Sequence, residues 1–253
     1  MTKPVAIVRG GSRGVGAEVS ILLAKKGWNL AITCSSSMDA AKEICQDCET
    51  HGAETIVIQA DVSQPDLCAK TVKDTIDKFG KLDALINNAG TTKFNAHDNL
   101  EGLSKEDFLG LYAINTVGPY MMIKESREYL AKSDNPSVVN VASIAGVLGI
   151  GSSVAYAASK GALINMTKSL ARALGPIRVN AICPGFIQGD WLKNGLGEET
   201  YEFLKKPTEE NVPLNLTCTP EQVAETICYF VESGSTITGE TLLLDGGMHL
   251  GKY

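Results

Sequence analysis

The N-terminal sequence reads VAIVRGGSRGVG from Val5 to Gly16. Val5–Val8 has the continuous apolar character of a buried strand, and Ala17–Lys26 has a helical hydrophobic period. Gly10, Gly14 and Gly16 between them permit a tight turn and a close approach of the backbone to a pyrophosphate, which the N-terminus of the helix would favour. A strand, a glycine turn and a helix in this order predict a nucleotide site at the start of an α/β fold.

Beyond this stretch, short apolar runs alternate with amphipathic helices along the chain. The further predicted strands are Leu30–Thr33, Thr55–Gln59, Leu82–Ile86, Val138–Val141, Ile177–Ile182 and Thr241–Leu244. The further predicted helices are Ala40–His51, Leu67–Phe79, Ser104–Leu130, Ala155–Leu174 and Glu221–Val231. Strands that are apolar throughout indicate a parallel sheet with helices on both faces. We therefore predict an α/β fold in a single domain, residues 1–253: a Rossmann-type doubly wound parallel sheet of about seven strands.

Residues 186–216 interrupt this alternation, because they hold several Gly, Pro and charged residues without a strong period. A segment of this length more often forms a lid or a binding loop than a plain connection. Six of its large apolar side chains could line a pocket or could pack a lid helix against the domain: Trp191, Leu192, Leu196, Tyr201, Phe203 and Leu204. We predict a substrate lid at residues 186–216.

The composition excludes several classes of partner. The net charge is −6 with no clustered basic face, which argues against nucleic acid and membrane surfaces. No apolar run is long enough to cross a bilayer, and seven scattered cysteines without a secretory signal predict reduced thiols and a cytoplasmic protein. Cys45 and Cys48 form a CxxC on a predicted helix, but no second pair stands at zinc-binding spacing, so we predict no metal site.

The end of the second predicted strand indicates the choice of nicotinamide cofactor. It continues as Thr33-Cys34-Ser35-Ser36-Ser37, and no acidic residue precedes Asp39 in this region. NAD sites usually place a carboxylate here on the ribose hydroxyls. The hydroxyls of Ser35 and Ser36 can instead donate to a 2′-phosphate, and Arg13 can supply a cation. We predict NADPH over NADH; the alternative is that Arg13 is a solvated surface arginine.

A candidate acid/base pair lies in the second half of the chain. Tyr156 and Lys160 stand four residues apart at the start of a predicted helix, so they share one face. A nearby ammonium would lower the pKa of the Tyr156 phenol, which could then protonate a ketone oxygen and act in reverse. Ser143 follows a buried strand, where its hydroxyl could polarise a carbonyl. Asn115 lies inside a predicted helix, where asparagine is disfavoured. Taken singly, the pair and Asn115 could also be ordinary surface residues.

In this order the residues resemble the short-chain dehydrogenase/reductase family over nearly the whole chain. The glycine turn resembles the family's TGxxxGxG, Asp61-Val62 its adenine-contacting pair, and Asn87-Asn88-Ala89-Gly90 its NNAG segment. Pro184-Gly185 resembles its PG pair beside the nicotinamide, and Asp245-Gly246-Gly247 its C-terminal end. The resemblance implies a cofactor site comprising Gly10, Ser12, Arg13, Gly14, Val15, Gly16, Ser35, Ser36, Asp61, Val62, Asn88, Ala89, Gly90, Tyr156, Lys160, Pro184, Gly185 and Ile187.

The resemblance also implies a role for each catalytic residue. Tyr156 would be the general acid/base, and Lys160 would hold the ribose hydroxyls and lower the pKa of Tyr156. Ser143 would orient and polarise the carbonyl, and Asn115 would hold a water for proton relay. Asp61 would bond the adenine amino group. Family members of this length are commonly homotetramers packed through two long helices and the C-terminal strand region, so a homotetramer or homodimer is implied.

Within the family the chain is most similar to the 3-oxoacyl-[acyl-carrier-protein] reductases, through GGSRGVG, NNAGTT and ITGETLLLDGGM. This implies NADPH-dependent reduction of a 3-oxoacyl thioester in fatty acid biosynthesis, with acyl carrier protein as a partner. Two features depart from that pattern. Arg9 replaces the threonine whose hydroxyl braces the glycine turn, and Lys132 and Arg172 give only thin basic support for an acidic carrier.

Three alternatives remain open at this stage. The enzyme could be an NAD(P)-dependent dehydrogenase of another alcohol, ketone or sugar. It could be a cofactor-binding regulator without useful catalysis, for which Arg9 is the motivating feature. A purely structural protein would need no tetrad and is the weakest alternative.

Overall fold

A computed structural model describes residues 2–251 and contains one seven-stranded parallel sheet in the order β3-β2-β1-β4-β5-β6-β7. The strands are β1 (Val5–Arg9), β2 (Asn29–Cys34), β3 (Thr55–Gln59), β4 (Ala84–Asn87), β5 (Ser137–Val141), β6 (Arg178–Pro184) and β7 (Thr241–Leu244). The five inner strands are buried along their whole length. The predicted single-domain, doubly wound sheet is confirmed; residues 1, 252 and 253 of the predicted domain lie outside the described residues.

Helices cover both faces of the sheet. They are α1 (Gly14–Lys25), α2 (Met38–Thr50), α3 (Pro65–Phe79), α4 (Lys105–Tyr112), α5 (Gly118–Leu130), α6 (Ala145–Leu148), α7 (Val154–Ala173), α8 (Asp190–Leu196), α9 (Glu198–Asn211) and α10 (Pro220–Glu232). One core joins α1, α2 and α10 to the sheet through side chains such as Leu23 and Ile227. The core on the opposite face includes Val72 of α3 and Met122 of α5. Burial on both faces explains why the strands are apolar throughout.

The strand order reverses beside β1, which pairs with β2 on one side and with β4 on the other. Ligands of open α/β sheets bind in the crevice that such a reversal leaves at the carboxyl ends of the strands. The glycine turn follows β1, Asn88 follows β4, and Ser143 follows β5. The topology therefore gathers the predicted site at one edge of the sheet.

The predicted helix Ser104–Leu130 is interrupted. A π-helical turn, Ala113–Val117, separates α4 from α5 and contains Asn115. The N–H of Gly118 donates to the Ala113 carbonyl, five residues back, as in a π-helix. A π-helical turn adds only one residue to the helix, so the spacing of apolar residues across it hardly changes. The sequence pattern therefore predicted one continuous helix.

Residues 186–216 are largely helical and contain α8 and α9, which meet at Gly197 with φ of 82°. The helical period of α9 is weak because most of its residues are polar and Tyr201 is its one buried residue. Pro207 lies inside the same helix. The segment is thus a helical pair rather than an irregular loop, and its function as a lid stays a prediction.

The seven cysteines are buried and unpaired. Cys45 and Cys48 face the core from α2, and burial raises the pKa of the Cys48 thiol to about 12. Within residues 2–251 no three His, Cys, Asp or Glu side chains group as metal ligands. In the same range no helix has the length and apolar character needed to cross a membrane.

Candidate active site

The glycine turn is held from two neighbouring strands. The N–H of Gly10 donates to Thr33 Oγ1 at 3.2 Å, and Asn88 Nδ2 donates to the Gly10 carbonyl at 2.9 Å. A Cβ on Gly16 would lie 2.1 Å from that carbonyl oxygen, so the turn has room only for glycine there. The sequence pattern did not single out Thr33. Its hydroxyl braces the turn in place of the threonine that Arg9 replaces.

The N-terminus of α1 fits an anionic group. Arg13, the N-cap residue, is extended, and no side chain within residues 2–251 caps this helix. Gly14, with φ of 52°, borders open space, while Ser12 and Val15 are buried beside it. Uncapped N–H groups and the positive end of the helix dipole suit the phosphates of a dinucleotide.

The predicted 2′-phosphate residues come together at the end of β2. Arg13 Nη2 donates to Ser37 Oγ at 3.3 Å, and Ser35 and Ser36 are exposed immediately before it. Ser37 was outside the predicted set, although it ends the same serine run. The arrangement places the Arg13 cation beside Ser37, at the end of the run that contains the exposed Ser35 and Ser36.

Two further loops carry predicted cofactor residues: the loop after β3 and the loop after β4, which adjoins the glycine turn. Asp61 is exposed after β3 and accepts hydrogen bonds from the N–H and hydroxyl of Ser63; Val62 follows it. Ala89 packs on the turn, because a Cβ on Gly10 would lie 2.9 Å from the Ala89 Cα. A Cβ on Gly90 would lie 3.3 Å from both Asn115 Oδ1 and Lys160 Nζ, so Gly90 links this loop to the catalytic residues.

The side chains of Ser143 and Tyr156 lie next to each other at the same cavity. The Ser153 hydroxyl caps α7 by accepting from the Tyr156 N–H at 3.2 Å, which fixes the first turn of the helix. Burial raises the pKa of Tyr156 to about 12, against the opposing effect of the Ser143 side chain. The pKa of Tyr156 is thus raised overall rather than lowered, and the effect expected of Lys160 on it stays a prediction. The phenol stays protonated at neutral pH, which is the form that donates a proton.

Lys160 is buried one helical turn below the tyrosine. Its Nζ lies 5.7 Å from the centre of the Tyr156 ring and donates to the Val141 carbonyl at 2.8 Å. The two side chains share one face of α7, as the spacing predicted. Burial, and then the positive charge of Arg9, lower the pKa of Lys160 to about 8.

Asn115 is fully buried and joins two segments of the chain by hydrogen bonds. Its Nδ2 donates to the Thr91 carbonyl at 2.9 Å and to Ser159 Oγ at 3.0 Å, while its Oδ1 accepts from the Thr91 N–H at 2.9 Å. Both amide hydrogens are used, so the side chain joins the loop after β4 to α7. The water-relay role implied by the resemblance stays a prediction.

Arg9 points away from the glycine turn and into the protein. It is completely buried, and its Nη2 donates to the Ile114 carbonyl at 2.8 Å. Burial lowers the pKa of Arg9 to about 10, with opposing effects from Cys68 and Asp61, so the guanidinium remains charged at neutral pH. Its Nε and Nη1 find no partner within residues 2–251.

A cavity of about 460 Å³ adjoins Ser143 and Tyr156. Pro184, Gly185 and Ile187 form part of its wall, which places the predicted nicotinamide-side residues beside the acid/base pair. The other large wall residues are mostly apolar: Phe94, Ile144, Ile150, Trp191, Leu192, Leu196, Leu204 and Met248. Polar side chains in the wall come from Asn95, His97 and Ser152.

The six apolar residues of the segment 186–216 divide between the two predicted alternatives. Four of them line the cavity: Trp191, Leu192, Leu196 and Leu204. Tyr201 is 2% exposed and contacts Phe186, with ring centres 5.3 Å apart, so it packs the helix against the domain. Phe203 is 74% exposed. Trp191 and Phe94 approach with ring centres 6.3 Å apart.

A dinucleotide cradle beside a Ser–Tyr–Lys group defines an NAD(P)-dependent oxidoreductase. The family model described as enoyl-(acyl carrier protein) reductase matches residues 10–249. The chain belongs to the short-chain dehydrogenase/reductase family.

Its relatives match over nearly their whole length. A 3-oxoacyl-[acyl-carrier-protein] reductase from Synechocystis sp. is 32% identical, covering 98% of each chain. A chain from Burkholderia xenovorans, described as a short-chain dehydrogenase/reductase, superposes with a TM-score of 0.91 at 34% identity, covering 99% of this chain and 100% of that one. An NAD+-bound xylitol dehydrogenase superposes with a TM-score of 0.88 at 26% identity, covering 97% and 99%.

Proposed function

We propose that the protein reduces a 3-oxoacyl thioester to the 3-hydroxyacyl thioester at the expense of NADPH. The observation that carries this proposal is the opening of the Ser143–Tyr156 pair into a largely apolar cavity. Such walls favour an acyl chain over a polyol, because sugar hydroxyls would leave water without finding enough partners. The similarity to a 3-oxoacyl-[acyl-carrier-protein] reductase supports the same substrate class.

Each catalytic side chain then has a defined task. The bound nicotinamide supplies a hydride to the substrate carbonyl carbon. Tyr156 donates its hydroxyl proton to the carbonyl oxygen, and the Ser143 hydroxyl orients that oxygen. Lys160 holds the ribose of the cofactor and stabilises the phenolate that remains on Tyr156. Asn115 keeps the loop after β4 against α7, which fixes the floor of the site.

The direct test is NADPH oxidation by the purified protein with acetoacetyl-CoA, a soluble 3-oxoacyl thioester. We expect turnover with this thioester and at least about tenfold lower kcat/KM with a ketose of similar reactivity, because each unpaired buried hydroxyl costs on the order of 1 kcal/mol. NADPH binding is measured in the same sample by fluorescence. Binding without turnover of the thioester would contradict the proposal.

The alternatives make different predictions in the same assay. A dehydrogenase of a sugar or other ketone would prefer the ketose, as the likeness to a xylitol dehydrogenase would suggest. A regulator would bind NADPH and turn over neither substrate. The juxtaposition of Ser143 and Tyr156 at one cavity, with Lys160 fixed beside them, argues against the regulator.

Preference for NADPH rests on Arg13 and the serines at the end of β2. Replacing Arg13 by Ala should raise the dissociation constant of NADPH about 10- to 100-fold and change that of NADH less than about threefold, because only NADPH carries the 2′-phosphate. Titration of cofactor fluorescence measures both constants. Arg127→Ala removes an exposed arginine from α5 and is the control for net charge. Equal weakening of both cofactors would contradict this assignment.

The proposal also covers the oligomeric state of the protein, the carrier of its substrate and its cellular compartment. Exposed Leu109, Val117 and Tyr120, along α4, the π turn and α5, together with Val147 and Val154, support a homotetramer or homodimer packed through these helices. Acyl carrier protein is the proposed source of the thioester, in fatty acid biosynthesis. Seven unpaired thiols suit the reducing cytoplasm. Residues 186–216 would act as the lid over the acyl chain.

A further inference from the structure

The π turn leaves one backbone carbonyl without its usual donor. In an α-helix the Ile114 carbonyl would accept from the Gly118 N–H, but that N–H bonds to Ala113. In a continued π-helix it would accept from residue 119, which is a proline and has no N–H. The donor that reaches this carbonyl is Arg9 Nη2, at 2.8 Å. An arginine from β1 thus completes a turn more than a hundred residues away.

The space beside Gly118 is filled by the Arg9 guanidinium, of which Nη2 alone has a hydrogen-bond partner within residues 2–251. Its guanidinium is completely buried beneath the start of α5. A Cβ on Gly118 would lie 2.8 Å from Arg9 Nη2 and 2.7 Å from the Val62 carbonyl oxygen, so glycine leaves the space that the guanidinium fills. The carbonyl that Arg9 holds belongs to the neighbour of Asn115, which clamps the loop after β4 to α7.

We propose that Arg9 is a positioning residue, which holds the π turn through the Ile114 carbonyl and thereby fixes Asn115 in the active site. This proposal assigns a role to the residue that departs from the family's threonine. Thr33 braces the glycine turn, which leaves Arg9 free to serve the opposite face of β1. Arg9 touches neither substrate nor cofactor in this role and acts through Asn115.

The charge of Arg9 provides a second, independent test, because it affects the pKa of Lys160. The ionisable groups facing Lys160 are Arg9 from β1, Cys183 from β6, and Tyr156 on its own helix. Arg9 in turn faces Cys68 and Asp61. The nearby guanidinium lowers the pKa of Lys160, so its removal should raise that pKa and keep the ammonium charged to higher pH. The alkaline limb of the kcat profile, where Lys160 loses its proton, should then move to higher pH.

Two variants separate the hydrogen bond from the charge. Arg9→Met keeps an unbranched chain as far as the position of Nε and loses both functions, whereas Arg9→Lys keeps the charge but lacks the guanidinium fork that reaches Ile114. Amide hydrogen exchange over residues 113–121, measured without substrate, reports on the π turn directly. We expect exchange there to quicken at least about tenfold in both variants, with little change in β5 and β6.

Kinetics on the same variants complete the test, and this arm alone rests on the proposed reductase activity. We expect kcat to fall about tenfold in both variants, NADPH affinity to change less than about threefold, and the alkaline limb to shift only in Arg9→Met. If Arg9→Met does not fold, Arg9→Lys still gives the exchange result. Unchanged exchange over residues 113–121 in a folded variant would overturn the proposal, whatever the substrate proves to be.

Discussion

Replacing Tyr156 by Phe should lower kcat for acetoacetyl-CoA reduction about 1,000-fold while the dissociation constant of NADPH changes less than about threefold. The substitution removes only the hydroxyl that would protonate the carbonyl oxygen and that lies next to Ser143. The ring that packs near Lys160 stays in place. Steady-state NADPH oxidation and cofactor fluorescence measure the two quantities on one preparation.

The matched control is Tyr129→Phe, which removes a phenol hydroxyl at the end of α5 from a half-buried side chain packed against the core. It should leave kcat unchanged. If Tyr156→Phe kept more than about a tenth of wild-type kcat, another group would have to supply the proton, and the assigned mechanism would be wrong.

Replacing Gly16 by Ala should weaken NADPH binding about 100-fold and lower Tm by several degrees. The new Cβ would lie 2.1 Å from the Gly10 carbonyl oxygen and 2.7 Å from Asn88 Nδ2, the two atoms whose hydrogen bond holds the turn. Overpacking of this kind costs about 1–3 kcal/mol, which corresponds to roughly 2–12 °C in a domain of this size. Cofactor titration and thermal unfolding measure the two effects.

Gly110→Ala provides the comparison for this prediction. Gly110 lies in α4 with open space where its Cβ would be, so alanine there should be neutral or slightly stabilising. A folded Gly16→Ala protein that bound NADPH with wild-type affinity would show that the turn can open without loss, and that the cradle does not depend on its close contacts.

Much of the site could be predicted from the sequence because its signals are local. Tyr156 and Lys160 are one helical turn apart, and Ser143 directly follows a buried strand, so short-range periodicity places all three. The fold was accessible for the same reason, since continuous apolar strands alternate with helices. Family resemblance added the cofactor loops, which the reversal of strand order beside β1 gathers at one edge of the sheet.

The rest depends on contacts between distant segments. Thr33 braces the glycine turn and Arg9 reaches Ile114, and neither partnership follows from any spacing along the chain. The raised pKa of Tyr156 also escaped prediction, because the spacing indicates a neighbouring ammonium but not how far burial disfavours the phenolate. Ser37 was missed for a smaller reason, since only the path of Arg13 shows which serine it meets.

The seven buried thiols can be used as native probes of local opening in the folded protein. They lie in α2, α3 and α10, in β2 and β6, and in the strand-like segment at Cys218, so they sample both faces of the sheet. A bulky thiol reagent can reach them only when the surrounding layer opens. The order in which the cysteines become labelled, read by mass spectrometry, would therefore rank the regions of the native protein by the ease with which they open.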